Sequence, residues 1–167
     1  MFLNWRSLAF KIIKRLTTHL FPAVEWTTTE ELAQWLNDPV KPQPLVLDAR
    51  SEAEYAVSHL KEAEHIDPDH PNLAAFSGVS QDTPIVVYCS VGYRSAGVAS
   101  QFGQVGFSQV YNLEGSIFQW ANEGRSVFKD GDSTMLVHPY DALWGRLLKP
   151  QYRALLTHVE KQSSSSP

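Results

Sequence analysis

The apolar residues of this chain fall into alternating helical and strand-like blocks. Between residues 2 and 21, Trp5, Leu8, Ala9, Ile12, Ile13, Leu16 and Leu20 recur at helical spacing, while Lys11, Lys14 and Arg15 project elsewhere. The spacing predicts an amphipathic basic helix that stops at Pro22. Residues 23–26 read as a short strand, and TTTEELAQWL as a helix opened by a capping box, Thr28 with Glu31, that buries Leu32, Trp35 and Leu36. A proline-punctuated loop, 37–44, leads to PLVLDAR, an apolar run without polar alternation. Such a run suits a central parallel strand covered on both faces. Ser51 as N-cap, with Glu52 and Glu54 in the first turn, then starts a short helix.

Residues 67–78 predict a turn and a short helix closed near Gly78. Four β-favouring residues, Ile85 to Tyr88, run into a six-residue turn, Cys89 to Arg94, and a helical pattern begins at Ser95 and is capped by Gly106. The small residues Ser95, Ala96, Gly97 and Ala99 let that helix press on the sheet. A last strand, a turn at Gly115 and a helix with Ile117 and Trp120 follow. This alternation makes a small parallel α/β sheet with helices on both faces. Residues 131–162 predict a helical extension in two stretches: Leu143, Trp144, Leu147 and Leu148, then, beyond Pro150, Tyr152, Leu155, Leu156 and Val159. The organisation expected is a basic helix over 1–24, a sheet domain over 25–130, the helical extension, and a disordered tail at 163–167.

Charge changes this picture at one place. The chain of 167 residues has a net charge of −4, but residues 1–24 hold Arg6, Lys11, Lys14 and Arg15 and no acid, so residues 25–167 carry ten basic groups against eighteen acids. So acidic a body argues against nucleic-acid binding. The basic helix could contact an anionic membrane surface or a partner through residues 1–21. Packing on residues 140–160 is the expectation preferred, because Leu143, Trp144, Leu147, Leu155 and Leu156 otherwise lack cover; the apolar face would then be unavailable for insertion. No apolar run approaches the ~18 residues of a membrane span. Near the start there is no secretory h-region or cleavage site, so a cytoplasmic location, with a possible peripheral membrane contact, is the expectation.

Cys89 is the only cysteine, which excludes an internal disulfide, a CxxC metal site and an internal resolving thiol. No metal or organic cofactor is expected. At a strand-to-helix junction its sulfur meets unpaired helix amides and the positive end of the helix dipole, both favouring thiolate. Gly92 lets the loop curl so that several N–H groups face one anion, and Arg94 adds a fixed charge. The loop reads as an anion cradle around a nucleophile.

The segment YCSVGYRSA resembles the active-site loop of the rhodanese-like sulfurtransferases, and VLDAR (46–50), EYAVSHL (54–60), EHI (64–66) and VYNLEGSIFQW (110–120) match the family in order over about residues 25–130. The resemblance implies a single rhodanese-like domain in which Cys89 takes a sulfane sulfur from a small donor such as thiosulfate and passes it to a thiol, cyanide or protein acceptor. Ser90, Val91, Gly92, Tyr93 and Ser95 would shape the cradle, Arg94 would attract the donor, and Tyr93 at the rim would select the acceptor. Asp48 and Arg50, with Glu54, would brace the neighbouring corner. His59 is kept as an outer candidate, although transfer by a preformed thiolate needs no base. Where the family often has two glycines this chain has Gly115 and Ser116. Phosphatase relatives of the fold hold five residues between Cys and Arg, and here there are four, Ser90 to Tyr93, which disfavours phosphatase or arsenate reductase activity. A non-catalytic binding or membrane-surface scaffold is the remaining alternative.

Overall fold

The computed structural model describes residues 5–156. Five strands, β1 (Glu25–Thr27), β2 (Leu45–Asp48), β3 (Glu64–His65), β4 (Ile85–Tyr88) and β5 (Val110–Leu113), form one parallel sheet in the order β1-β5-β4-β2-β3. The central strand β4 pairs with β2 from Leu45↔Ile85 to Asp48↔Tyr88, and with β5 from Ile85↔Val110 to Val87↔Asn112. All four of its residues are buried, as a strand covered on both faces must be.

The alternation hidden in these uniformly apolar strands separates two cores. Val46, Val86 and Tyr88 face a core with Leu32 of α2 (Thr29–Leu36) and Ile117, Phe118 and Ala121 of α5 (Ser116–Asn122). Leu47, Ala49, Ile85 and Val87 face the other, with Val98, Ala99 and Phe102 of α4 (Tyr93–Gln104). Both predicted N-caps are in place. Thr28 accepts from the Glu31 amide at the start of α2, Ser51 accepts from the Glu54 amide at the start of α3 (Glu52–Val57), and each acid reaches back to its cap amide.

The basic helix is α1, Trp5–Leu20, and it packs on the body by only one edge of the expected apolar face, Ala9 and Ile13, joined by residues outside that face. Phe10 and Thr17 are buried, Lys14 bonds Glu114 at 2.6 Å and lies over the Trp26 ring, and Phe21, just beyond the helix, approaches Gly97 of α4. Its contact with the 140–160 region includes the Arg6 Nε bond to the Arg146 carbonyl, 3.1 Å. Trp5, Leu8, Ile12, Leu16 and Leu20 point to solvent. The Phe10 and Lys14 side wins because the turn after β5 offers it both an apolar seat and a carboxylate.

The C-terminal extension also differs. Residues 127–134 form an antiparallel hairpin, β6 (Val127–Lys129) and β7 (Asp132–Thr134), which straddles the boundary expected at residue 130. Its two-residue turn, Asp130 and Gly131, has both φ positive, the hairpin geometry that Asp-Gly favours. Among the described residues the two helical stretches are present only as 3-10 turns, Trp144–Leu147 and Pro150–Tyr152. Pro139 and Pro150 forbid continuous helices, and the Asn122 side chain takes over the backbone there, donating to the Leu147 carbonyl and accepting from the Lys149 amide. The segment is a strap that buries Val137, Leu147 and Leu148 in the first core and leaves Leu143 and Leu155 exposed. The predicted tail at 163–167 and Val159 lie outside the described residues. No described helix is long and apolar enough to cross a membrane.

Candidate active site

Cys89 follows β4 at the carboxyl end of the sheet, and α4 starts earlier than expected, at Tyr93, with Gly92 as its cap. Gly92 has φ +105°, and a Cβ there would stand 3.4 Å from both the Leu113 carbonyl and the Trp26 ring. Only glycine fits this bend without strain. The bend brings the Gly92 amide back onto Cys89 Sγ at 3.1 Å.

The start of α5 holds the loop from below. The amides of Ile117 and Phe118 donate to the carbonyls of Cys89 and Ser90, both at 3.2 Å. In a trans peptide the following N–H points to the opposite side, so these bonds turn the Ser90 and Val91 amides away from α5. Ser116 sits at φ +49° beside Gly115 at +66°, so the turn keeps a left-handed pair without a second glycine. Its hydroxyl donates to the Leu113 carbonyl at 3.0 Å and accepts from the Cys89 amide at 3.1 Å.

Ser95 is the second neighbour of the sulfur, with its hydroxyl 3.3 Å from Cys89 Sγ and 2.6 Å from Asn112 Oδ1. The Asn112 amide nitrogen donates to the Gly92 carbonyl at 2.7 Å, which fixes its oxygen toward Ser95. One hydroxyl proton serves either the sulfur or Asn112. Burial of Cys89 pushes its thiol up, and is outweighed by the charge of Arg94, the hydroxyl and amide of Ser95 and the amide of Gly92. The net effect lowers the thiol below its ordinary range.

Arg94 lines the space over the sulfur and is at the same time paired with a carboxylate. Its Nη1 bonds Glu54 Oε2 at 2.8 Å and its Nη2 bonds Glu54 Oε1 at 2.9 Å, and Nη2 also reaches the Ser90 hydroxyl at 3.1 Å. Glu54 is therefore part of the site: it accepts from Ser90 as well, and ties α3 to the loop. Its positive partner still lies close enough to favour the thiolate.

Above the sulfur is a pocket of about 110 Å³ lined by Cys89, Ser90, Val91, Tyr93, Arg94, Tyr140 and Trp144. Taking ~30 Å³ per water, it has room for a small anion or the tip of a nucleophile. Tyr93 is exposed at the rim as expected, edge-on to Phe21. Tyr140 and Trp144 come from the strap and had no signal in the sequence. Tyr140 lies over the Arg94 guanidinium, 5.0 Å from its ring centre, with φ +66° held by its amide bond to His138 Nδ1. Asp141 accepts from the amides of Leu143 and Trp144 and sets the turn that brings Trp144 to the pocket. A cleft of about 680 Å³ near Trp35 and Gln109 is larger but is not lined by Cys89.

Asp48 and Arg50 form a buried brace apart from the pocket. Arg50 bonds Asp48 at 2.8 and 2.6 Å and the Ser58 carbonyl at 2.6 Å, and Asp48 also accepts from Tyr88 at 2.6 Å. His59 does not line the pocket. It stacks on Tyr55 with ring centres 4.1 Å apart, and its Nδ1 bonds the Tyr55 carbonyl. Among the described residues no cluster of three potential metal ligands occurs.

The family model described as rhodanese-like domain matches residues 28–123. A thiosulfate sulfurtransferase GlpE of Pseudomonas paraeruginosa is 37% identical over 89 residues, covering 53% of this chain and 76% of that protein. Among solved structures, a rhodanese-like domain protein of Staphylococcus aureus superposes with a TM-score of 0.55 at 24% identity, over 64% of this chain and 99% of that one. The BH2092 protein of Bacillus halodurans gives 0.57 at 23% identity, over 75% and 87%. The matched residues run from the Thr28 cap through the cysteine loop to the end of α5, and the chain belongs to the rhodanese-like domain family.

Proposed function

We propose that this chain is a sulfurtransferase that carries a sulfane sulfur as a persulfide on Cys89, with thiosulfate as the donor type and a thiol or cyanide as acceptor. The observation that carries the reading is the Gly92 amide and Ser95 hydroxyl converging on a buried, acidified thiol at the floor of a pocket of about 110 Å³. The GlpE relatives, which bear the name thiosulfate sulfurtransferase, support it.

The Cys89 thiolate attacks the outer sulfur of thiosulfate. A new S–S bond forms, the sulfur–sulfur bond of the donor breaks, and sulfite leaves with the electron pair. The terminal sulfur of the persulfide is anionic, and the loop amides and the amino end of α4 stabilise it. An acceptor thiolate or cyanide then attacks that sulfur, Cys89 leaves as thiolate, and the product is a persulfide or thiocyanate. No proton moves at the reacting atoms, which accounts for a site without a general base. Tyr140 and Trp144 roof the pocket, so an acceptor reaches the sulfur end-on.

Incubation with thiosulfate followed by intact-mass measurement tests the proposal. A gain of one sulfur atom, mapped to Cys89 and released by cyanide as thiocyanate, is the expected result. An unchanged mass would favour a non-catalytic binding module, and hydrolysis of an aryl phosphate by Cys89 would favour the phosphatase reading.

A further inference from the structure

We infer that α1 docks this protein on an anionic lipid surface, by inserting the outward stripe Trp5, Leu8, Ile12, Leu16 and Leu20 at the headgroup boundary. Among the described residues the stripe is an uncovered apolar face on a helix whose opposite side is already used. Steps of three or four residues align these five side chains, and they are 52%, 46%, 51%, 63% and 59% exposed. Phe10 and Thr17, on the other side, are buried in the body. An apolar stripe of this length on a surface helix marks an interaction site.

Charge selects the occupant. The helix carries Arg6, Lys11, Lys14 and Arg15 without an acid, on a body with an excess of acids. Lys14 is engaged by Glu114, whereas Lys11 and Arg15 are exposed and successive along the helix face next to Leu8 and Ile12. A cationic edge beside a Trp- and Leu-containing face is the pattern of interfacial helices, and basic side chains there are drawn to anionic headgroups. A second copy fits less well, because pairing through the stripe would bring together two helices that each carry four basic groups.

Docking would also orient the pocket. Arg6 at one end of α1 bonds the carbonyl of Arg146, two residues from Trp144, and Phe21 at the other end touches Tyr93. Both Trp144 and Tyr93 line the sulfur pocket, so its mouth lies beside the lipid-facing helix.

Flotation of the full chain with vesicles of phosphatidylcholine, with or without phosphatidylglycerol, tests the inference. The protein should float with the anionic vesicles, and high salt should weaken the binding. The triple variant Leu8→Ser, Ile12→Ser, Leu16→Ser should reduce the bound fraction about tenfold or more, because the apolar contribution is lost. These side chains are exposed, so melting temperature and sulfur loading of Cys89 should be unchanged, which separates this result from any failure of the proposed chemistry. The charge variant Lys11→Glu, Arg15→Glu gives an independent reading and should abolish the preference for phosphatidylglycerol. Absence of flotation with anionic vesicles, or equal flotation of parent and triple variant, would overturn the inference. So would a vesicle-free dimer that the triple variant dissociates, since the stripe would then be a subunit interface.

Discussion

Glu54 holds both arms of the Arg94 guanidinium, at 2.8 and 2.9 Å, while its own side chain is only 3% exposed. This pair couples α3 to the first turn of α4 and so to the loop around Cys89. It makes Arg94 a brace, paired with a carboxylate, that also acidifies the thiol.

The pair should therefore behave as a unit in unfolding. Arg94→Ala leaves a buried carboxylate without its cation and should cost roughly 3–5 kcal/mol in urea denaturation. Adding Glu54→Gln should recover at least about 1 kcal/mol of that loss. Strict additivity of the two single variants would show that the pair carries no coupling. Arg94→Ala should also raise the pH midpoint of Cys89 alkylation.

The same carboxylate makes stability depend on acid. Burial pushes Glu54 up, but the bonds and charge of Arg94 outweigh it and hold its pKa at about 2. A free glutamate ionises near ~4.3. The folded value is the lower one, so this contribution, on the order of 3 kcal/mol, is present above ~4.3 and is lost as pH falls toward 2. Melting temperatures recorded across that window should fall more steeply for the parent than for Glu54→Gln.

Cys89 should react as a thiolate at lower pH than a free thiol. Iodoacetamide rates followed against pH should give a midpoint below ~8.5. A midpoint at or above that value would remove the electrostatic argument. Cys89→Ser should abolish sulfur loading while leaving the melting temperature close to that of the parent.

Ser95→Ala should raise that midpoint, because the sulfur loses a hydroxyl donor. It also leaves Asn112 Oδ1 unpaired in a buried site, and should cost roughly 1–3 kcal/mol. Asn112→Ala should destabilise similarly yet leave the Ser95 proton with the sulfur as its remaining acceptor, so its midpoint should not rise. Equal upward shifts in both variants would mean that loop collapse, and not the hydroxyl, sets the thiol's acidity.

Much of this molecule is written in short stretches of chain. The capping boxes Thr28 with Glu31 and Ser51 with Glu54 close within four residues, and the β4–Cys89–α4 junction needs only a β-favouring run, a glycine and a helical pattern. Local sterics and backbone hydrogen bonding decide such features, and these are properties of neighbouring residues. That is why the parallel sheet, the place of Cys89 at the end of β4 and the Gly92 bend were legible from residue order alone.

The rest depended on which distant surfaces meet. Asn112 was an ordinary strand residue until pairing of β5 with β4 set it against Gly92 and Ser95. Tyr140 and Trp144 reach the pocket because Asn122 and two prolines convert a helix-like pattern into a strap. On α1, periodicity finds apolar residues on more than one side, and Phe10 and Phe21 compete with the Trp5-to-Leu20 stripe for burial. The sequence by itself determined that α1 is helical and basic. Only the tertiary structure decided which face it buries, because Glu114 and the seat beside Gly115 lie a hundred residues away in the chain, and side-chain periodicity contains no information about the shape or charge of the surface that will receive it.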